Sequence, residues 1–208
     1  MRLAEVGPFD LMEIVETFSK RYPRPVLSIS VEKHNETLAA LRDYSLDMGV
    51  FAHEITENDI QCVYYGSHEV VIMIPLDRPW ISRKSVRLQE LEKHLVILRY
   101  SESATRQAFE QACEESKLIL DNTVMINSRK AVRGTVTRGL GITPVAESEF
   151  IPDKRLHTVR VSNADMKNSV YVCCLKRRIQ RRRISAFLDL VEEVNSKRKA
   201  GSKAKARA

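Results

Sequence analysis

Serine hydroxyls follow one predicted strand at the point where a helix begins. The segment 100–106 (YSESATR) comes directly after the apolar run 94–98 and opens a helical pattern. Hydroxyl groups and the unpaired backbone amides of a helix start form a seat for a carboxylate, phosphate or phosphonate, and Arg106 can add a bidentate contact. The same residues also fit a capping sequence that serves only its own helix. Ser101 and Ser103 are therefore candidates for binding an anion.

Three further helix starts carry residues that could meet a ligand. Gly7, Pro8 and Phe9 open the first helix, where Phe9 either stacks on a ligand or packs inside. His34 precedes the second helix and is either a ligand contact that titrates near neutrality or an exposed residue of the first turn. Arg129 follows Asn127 and Ser128, a pair suited to cap another helix start on the same rim.

Familiar catalytic and metal-binding signatures are absent from the sequence. It has no GxSxG, Walker, GxGxxG or HExxH motif, and its five histidines are scattered. The four cysteines form no CxxC pair and have no zinc-ligand spacing. We therefore predict a protein that is not an enzyme and has neither cofactor nor metal. The cysteines are expected to be structural thiols in a reducing compartment.

The run 138–144 (RGLGITP) closes one predicted helix and opens one predicted strand. Gly139 can take the left-handed conformation that ends a helix, and Gly141 allows a close approach to neighbouring chain. Pro144, which has no amide proton, is expected to stop the strand. Because ligands lie beyond the carboxyl ends of strands in open α/β sheets, Thr143 should face a crevice. An ordinary connection without a ligand is the alternative.

Strand and helix patterns divide the chain into two similar α/β halves. The first 75 residues read as βαβαβββ and end in a predicted hairpin with a turn at Gly66-Ser67. The pattern restarts after Pro75, and the chain returns along a strand near residues 169–175. Two crossings predict two hinged lobes with a cleft. We assign 1–75 plus 170–195 to lobe I, 76–169 to lobe II and 196–208 to a basic tail.

Much of the positive charge lies in that tail. The chain of 208 residues has a formal net charge of +7, and six Lys or Arg without an acid lie beyond Asn195, which leaves the body near neutrality. The tail is expected to be disordered. A second basic cluster at 176–183 either contacts phosphates or forms a solvated face. No apolar run could span a bilayer and no signal peptide is visible, so a cytoplasmic location is expected.

Three segments, taken in order, resemble the effector-binding domain of LysR-type transcriptional regulators. They are FSKRYP at 18–23, LDMGV at 46–50, which is similar to the family's "LDxGI" strand, and 138–147, which is similar to its "GLGIxxxPE" segment. The resemblance covers residues 1 to about 195. It implies two Rossmann-like lobes joined by two crossover strands, as in type 2 periplasmic binding proteins. It also implies an antiparallel homodimer, and an inducer in the interlobe cleft.

The resemblance also implies which residues bind the inducer. These residues are Gly7, Pro8, Phe9, His34, Tyr100, Ser101, Ser103, Arg129 and Thr143. His34 stands where the family often has a hydroxyl, which suggests a different effector. Tyr44-Ser45 replaces a glycine that is common at that helix end.

The family's N-terminal winged helix-turn-helix has no counterpart in these residues. We therefore expect DNA to be bound only through that missing domain, by a dimer that becomes a tetramer in the intact regulator. The dimer surface is expected to place the first helix of one subunit against the last helix of the other, with Met12 and Leu190 as candidate contacts.

The predicted function is to sense a small polar organic inducer, expected to be anionic, and to transmit the change to DNA-binding domains. One alternative is the solute-binding protein of a transporter, which shares the fold. Another is a two-lobed α/β enzyme that acts on a small acid. A membrane partner is not expected.

Overall fold

The computed structural model describes residues 1–5, 11–22, 27–77 and 79–205 and divides into two compact units. Unit 1 comprises 1–67 and 169–208, and unit 2 comprises 68–168. Two strands run from one unit into the other, β4 (Ile60–Pro75) and β10 (Lys167–Leu175). The hairpin predicted at Gly66-Ser67 is wrong, because β4 continues through both residues as one strand of 16 residues.

Unit 1 is a sheet covered on each face by helices. Besides parts of β4 and β10, its elements are β1 (Arg2–Glu5), α1 (Met12–Arg21), β2 (Ser28–Val31), α2 (His34–Arg42), β3 (Met48–Phe51) and α5 (Arg182–Lys205). Strand β1 pairs in parallel with β2 and β3, and β3 pairs antiparallel with β10. Successive residues of β10 point to opposite faces, so Cys174 packs with α1 and α5 whereas Cys173 packs with α2.

Unit 2 contains two groups of paired strands. Its elements are the end of β4, β5 (Ser85–Val86), β6 (Val96–Leu98), α3 (Ala104–Glu115), β7 (Thr123–Met125), α4 (Arg129–Thr137), β8 (Thr143–Ala146), β9 (Leu156–Val161) and the start of β10. Strand β4 pairs antiparallel with β8 and β9, and β9 pairs in parallel with β5. Strands β6 and β7 are parallel, and Val96 also forms a parallel bridge with Ile142. The strand order is β2-β1-β3-β10-β4-β9-β5.

The glycine turn after α4 has the predicted backbone. Gly139 has a φ of +77°, which ends the helix in the left-handed conformation. A Cβ on Gly141 would lie 2.5 Å from the carbonyl oxygen of Leu95, so only glycine fits there. The expectation that Pro144 stops the strand is wrong: Pro144 lies inside β8 opposite Ile72. Among the described strands, β4 is the one with which β8 pairs, and proline is tolerated at such an edge.

Two of the four cysteines form a disulfide, so the prediction of free thiols is wrong for them. Cys62 on β4 is bonded to Cys173 on β10, with Cα atoms 4.1 Å apart. Cys113 and Cys174 are buried free thiols, and burial raises the pKa of each to about 11. The pairing joins residues 111 positions apart, and only the strand order brings them together.

The last helix differs from the sequence prediction in two respects. Helix α5 extends to Lys205, through residues expected to form a disordered tail. The residues from Lys197 to Lys205 are mostly Ala, Lys and Arg, which favour helix, and Lys197 pairs with Glu193 one turn earlier. Leu190, proposed as a dimer contact, is fully buried in the core of unit 1. Met12 is 44% exposed. None of the helices in the described residues is long and apolar enough to cross a membrane.

Candidate functional site

Four candidate residues of unit 2 follow the carboxyl ends of two neighbouring parallel strands, and the fifth, Thr143, opens β8 beside β6. Tyr100, Ser101 and Ser103 follow β6, and Arg129 follows β7. Thr143 follows Ile142, whose backbone is bridged in parallel to β6. Carboxyl ends of parallel strands meet at one edge of a sheet, which is where α/β proteins bind ligands. We call this set the β6–β7 edge.

Ser103 is a buried residue whose side chain lies at the start of α3. The residue is 3% exposed and stands at the N-cap, yet its hydroxyl makes no capping bond and no other hydrogen bond to a described residue. Its backbone is fixed, since its amide donates to the Tyr100 carbonyl at 3.0 Å and its carbonyl accepts from the Gln107 amide at 2.9 Å. The hydroxyl is therefore available to a ligand or to water. Ser101 is exposed, and its hydroxyl donates to Glu102 at 3.2 Å.

Arg99 is a half-buried cation that the sequence analysis missed. Its guanidinium lies over the ring of Tyr100, 4.6 Å from the ring centre, and its Nε is buried without a hydrogen-bond partner among the described residues. Burial, and secondarily the positive charge of Arg129, lowers the pKa of Arg99. Its position as the first residue after β6 was the available signal. A buried cation without a paired carboxylate favours an anionic ligand.

Arg129 differs from Arg99 because a carboxylate already neutralises it. Its Nε and Nη2 donate to the two carboxylate oxygens of Glu149 at 3.2 and 3.0 Å. The residue opens α4, whose cap is Ser128, the hydroxyl of which accepts from the Ala131 amide at 3.4 Å. The net positive charge among these three side chains therefore comes from Arg99.

The hydroxyl of Thr143 is engaged inside unit 2. Thr143 is 2% exposed, and its Oγ1 donates to the carbonyl oxygen of Ile97 at 2.6 Å. The Arg106 side chain is similarly occupied. It donates to the carbonyl oxygen of Arg99 at 2.7 Å and to Glu110 at 2.8 Å. Arg106 thus fixes the backbone of Arg99.

Two further polar residues lie close to the start of α3. Asn168 donates from Nδ2 to Oγ1 of Thr105 at 2.9 Å, and both residues are buried. The Oδ1 of Asn168 is also buried and has no hydrogen-bond partner among the described residues. Sequence reasoning missed the pair because 63 residues separate its members.

His34 is the candidate residue of unit 1 that the structure describes. It opens α2, and its ring stacks on that of His53 at 4.9 Å and meets Phe51 edge-on at 5.2 Å. Burial, followed by the proximity of His53, lowers the pKa of His34, so the imidazole is neutral at pH 7. The candidates Gly7, Pro8 and Phe9 lie outside the described residues.

Two surface depressions lie elsewhere. One is on unit 1 beside Leu38 and Arg42, and the other is on unit 2 beside Trp80 and His94. Neither is lined by a candidate residue, and the β6–β7 edge is distinguished by its polar side chains. Within the described ranges, no group of three or more His, Cys, Asp or Glu side chains is placed to hold a metal ion.

Comparisons with known proteins all point in one direction. The family model for the LysR substrate binding domain matches residues 4–196. An uncharacterised HTH-type transcriptional regulator of Bacillus subtilis, YybE, is 24% identical over 85% of this chain and 60% of its own length. The HTH-type transcriptional activator CmpR of Synechocystis is 25% identical over 69% of this chain and 48% of its own length. The chain thus spans about half the length of the curated relatives it matches.

Solved structures give the same result for the fold. The effector binding domain of QuiR in complex with shikimate has a TM-score of 0.83 and 17% identity, covering 95% of this chain and 97% of that one. The BenM effector binding domain with its effector benzoate has a TM-score of 0.84 and 16% identity, covering 95% and 92%. These likenesses confirm the α/β fold class predicted from the sequence, that of the two-lobed type 2 periplasmic binding proteins.

Proposed function

The chain belongs to the family of LysR substrate-binding domains, and from this premise we propose that it senses a small anionic organic effector within a transcriptional regulator. The relatives named above are regulators, and the two solved neighbours bind shikimate and benzoate. Both of these ligands carry a carboxylate.

The half-buried cation Arg99 carries this proposal. Most arginines of unit 2 that the structure describes pair with carboxylates, as Arg129 does with Glu149. Arg99 forms no ion pair with a described residue, although the charge of Glu149 acts on it, and the hydroxyl of Ser103 follows it by four residues at the same strand end. A carboxylate held by both groups would gain a charge-assisted hydrogen bond and would satisfy the buried Nε of Arg99.

The remaining predicted contacts complete the proposed site. Tyr100, Ser101 and Arg129 of the β6–β7 edge, and Thr143 through its backbone, are proposed to line it. His34 of unit 1 is proposed to accept or donate a hydrogen bond as a neutral imidazole. Gly7, Pro8 and Phe9, the lobe boundaries given above and a site between the lobes stay predictions.

We also propose that the chain works as a homodimer and does no catalysis. Exposed apolar side chains are available on both units, at Ile29 and Val31 of β2 and at Val124 and Met125 of β7. Such residues on an edge strand are suited to a contact between copies. A winged helix-turn-helix outside this chain is proposed to bind DNA, and a cytoplasmic location stays a prediction.

Thermal-shift measurements with small carboxylates, shikimate and benzoate among them, test the proposal. A binding carboxylate should raise the melting temperature, and its neutral amide, such as benzamide for benzoate, should not. Arg99→Gln should weaken binding about 10–100-fold through loss of a charge-assisted bond, and Ser103→Ala about fivefold.

Arg155→Gln is the matched control. Arg155 is an exposed arginine of the same unit that pairs with Asp153, so its replacement should leave carboxylate binding unchanged. Equal losses in Arg99→Gln and Arg155→Gln would contradict a specific site, as would equal binding of acid and amide. Mass spectrometry of the bound carboxylate after incubation should recover it unchanged, and recovery of a product would favour the enzyme alternative.

A further inference from the structure

The segment 176–183 carries five cations that form no ion pair with a described residue. Many arginines elsewhere in the described chain pair with carboxylates; they include Arg21, Arg42, Arg83, Arg129, Arg133, Arg155 and Arg160. Within the segment, exposed side chains without an ion pair among the described residues are Lys176, Arg177, Arg181, Arg182 and Arg183. We call these side chains the 176–183 surface.

The backbone of the segment turns these cations outward. Arg178 alone points inward, where it is 6% exposed and donates to the carbonyl oxygen of Leu46 at 2.9 Å and to Asp47. Ile179 is half-buried and Ile184 is buried, so the apolar side chains face the core of unit 1. Arg178 therefore anchors a tight turn whose other basic side chains face solvent.

The segment is also compact. Lys176–Arg178 is a short 3-10 helix, and α5 begins at Arg182. Eight residues with this geometry span roughly 12–16 Å. Double-stranded DNA carries about one phosphate per 1.7 Å of helix axis, counting both strands, so this length offers enough phosphates for all five cations.

The charges around these cations do not balance their positive charge. Two neighbouring carboxylates are occupied, Asp47 by Arg178 and Asp59 by Arg42. Arg182 and Arg183 occupy the first turn of α5, where the helix dipole is positive and basic side chains are unfavourable. An anion bound here would relieve both sources of repulsion. The guanidinium of Arg177 is already positioned, because it lies 4.6 Å from the centre of the Tyr44 ring.

We propose that the 176–183 surface binds the phosphate backbone of double-stranded DNA without sequence preference. Four of its five cations are arginines, whose planar fork matches phosphate. It offers no exposed apolar side chain, which a membrane-binding segment would need. The contact goes beyond effector sensing, and it differs from the expectation that DNA is reached only through a separate domain.

Fluorescence anisotropy with the full chain and a labelled duplex of random sequence tests this contact. If all five cations contact phosphates, the slope of log K against log salt is about −4.5, and affinity falls about 500-fold between 50 and 200 mM salt. The triple variant Arg181→Gln, Arg182→Gln, Arg183→Gln should reduce the slope by about 3.

A second triple variant supplies the matched control. Lys197→Gln, Arg198→Gln, Lys199→Gln removes the same charge from the same helix, and it should change the slope by less than 1. Equal losses in both triple variants would show a net-charge effect and overturn the proposal. So would undetectable binding to the duplex, or tighter binding to phosphatidylserine vesicles than to DNA.

Circular dichroism melting checks that each variant folds. If the Arg181–Arg183 variant does not fold, the double variant Lys176→Gln, Arg177→Gln tests the same contact with DNA. It should reduce the slope by about 2, and an unchanged slope would overturn the proposal.

Discussion

The hydroxyl of Thr143 donates a 2.6 Å hydrogen bond to the carbonyl oxygen of Ile97. The bond ties the start of β8 to β6, whose carboxyl end leads into Arg99 and Tyr100. A polar side chain predicted to face a ligand is therefore already part of the support of the β6–β7 edge. Loss of the Thr143 hydroxyl should therefore lower the stability of the protein.

Thr143→Val should lower the free energy of unfolding by about 1–3 kcal/mol, because the buried carbonyl of Ile97 loses this donor. The measurement is urea-induced unfolding without a ligand. Thr143→Ser keeps the hydroxyl and is the control, which should lose less stability. A loss in Thr143→Ser as large as or larger than that in Thr143→Val would contradict a dominant role for the hydrogen bond, because only the serine variant keeps the hydroxyl.

Gly49→Ala should destabilise unit 1 by about 1–3 kcal/mol through overpacking. A Cβ on Gly49 would lie 2.7 Å from both the Phe51 ring and the Thr37 methyl group. Gly134→Ala is the control, since its Cβ would meet only the end of the Arg138 side chain at 3.2 Å. Inside helix α4 that change should stabilise the protein by about 0.5–1 kcal/mol. Differential scanning calorimetry of both variants checks the opposite signs.

Reduction of the Cys62–Cys173 disulfide should lower the free energy of unfolding by about 2–4 kcal/mol, because the bond closes a long loop in the unfolded chain. Thiol titration of the denatured protein should find two thiols before reduction and four after it. Dithiothreitol should not change the stability of the control variant Cys62→Ser. Four thiols in the unreduced protein would contradict the pairing.

Local sequence rules predicted the features that depend on neighbours along the chain. The left-handed Gly139 and the close approach at Gly141 follow from one short run, and the structure has both. The start of α3 at Ser103 was equally readable. The sequence could not predict that the Ser103 hydroxyl makes no capping hydrogen bond, because a capping serine and a ligand-binding serine share the same sequence pattern.

Features set by packing between distant segments could not be predicted. Gly66-Ser67 has the composition of a turn, yet β4 continues through both residues. Strand β4 lies between β10 and β9 in the sheet, and pairing with these neighbours favours an extended backbone. The bond between Cys62 and Cys173 likewise depends on strand order. Arg99 reads as a surface residue after a strand, and only its burial distinguishes it.

His34 should give unit 1 a stability that depends on pH. Its pKa in the folded chain lies below the model-peptide value of 6.5, chiefly because burial disfavours the charged imidazole. The unfolded state therefore binds more protons than the folded state between these two pKa values. The free energy of unfolding should rise with pH up to about 6.5 and level off above it. As pH falls from 6.5 toward the folded pKa, this contribution is lost.

Proton NMR titration of the His34 ring checks the shift, and melting temperatures across the same pH range check its consequence. His53→Gln removes the second cause while burial remains, so it should raise the pKa of His34 part of the way toward 6.5. His34→Gln should flatten this part of the stability profile. A His34 pKa at or above 6.5 in the folded protein would contradict the neutral imidazole, and with it the proposed role of His34 as a neutral contact to the effector.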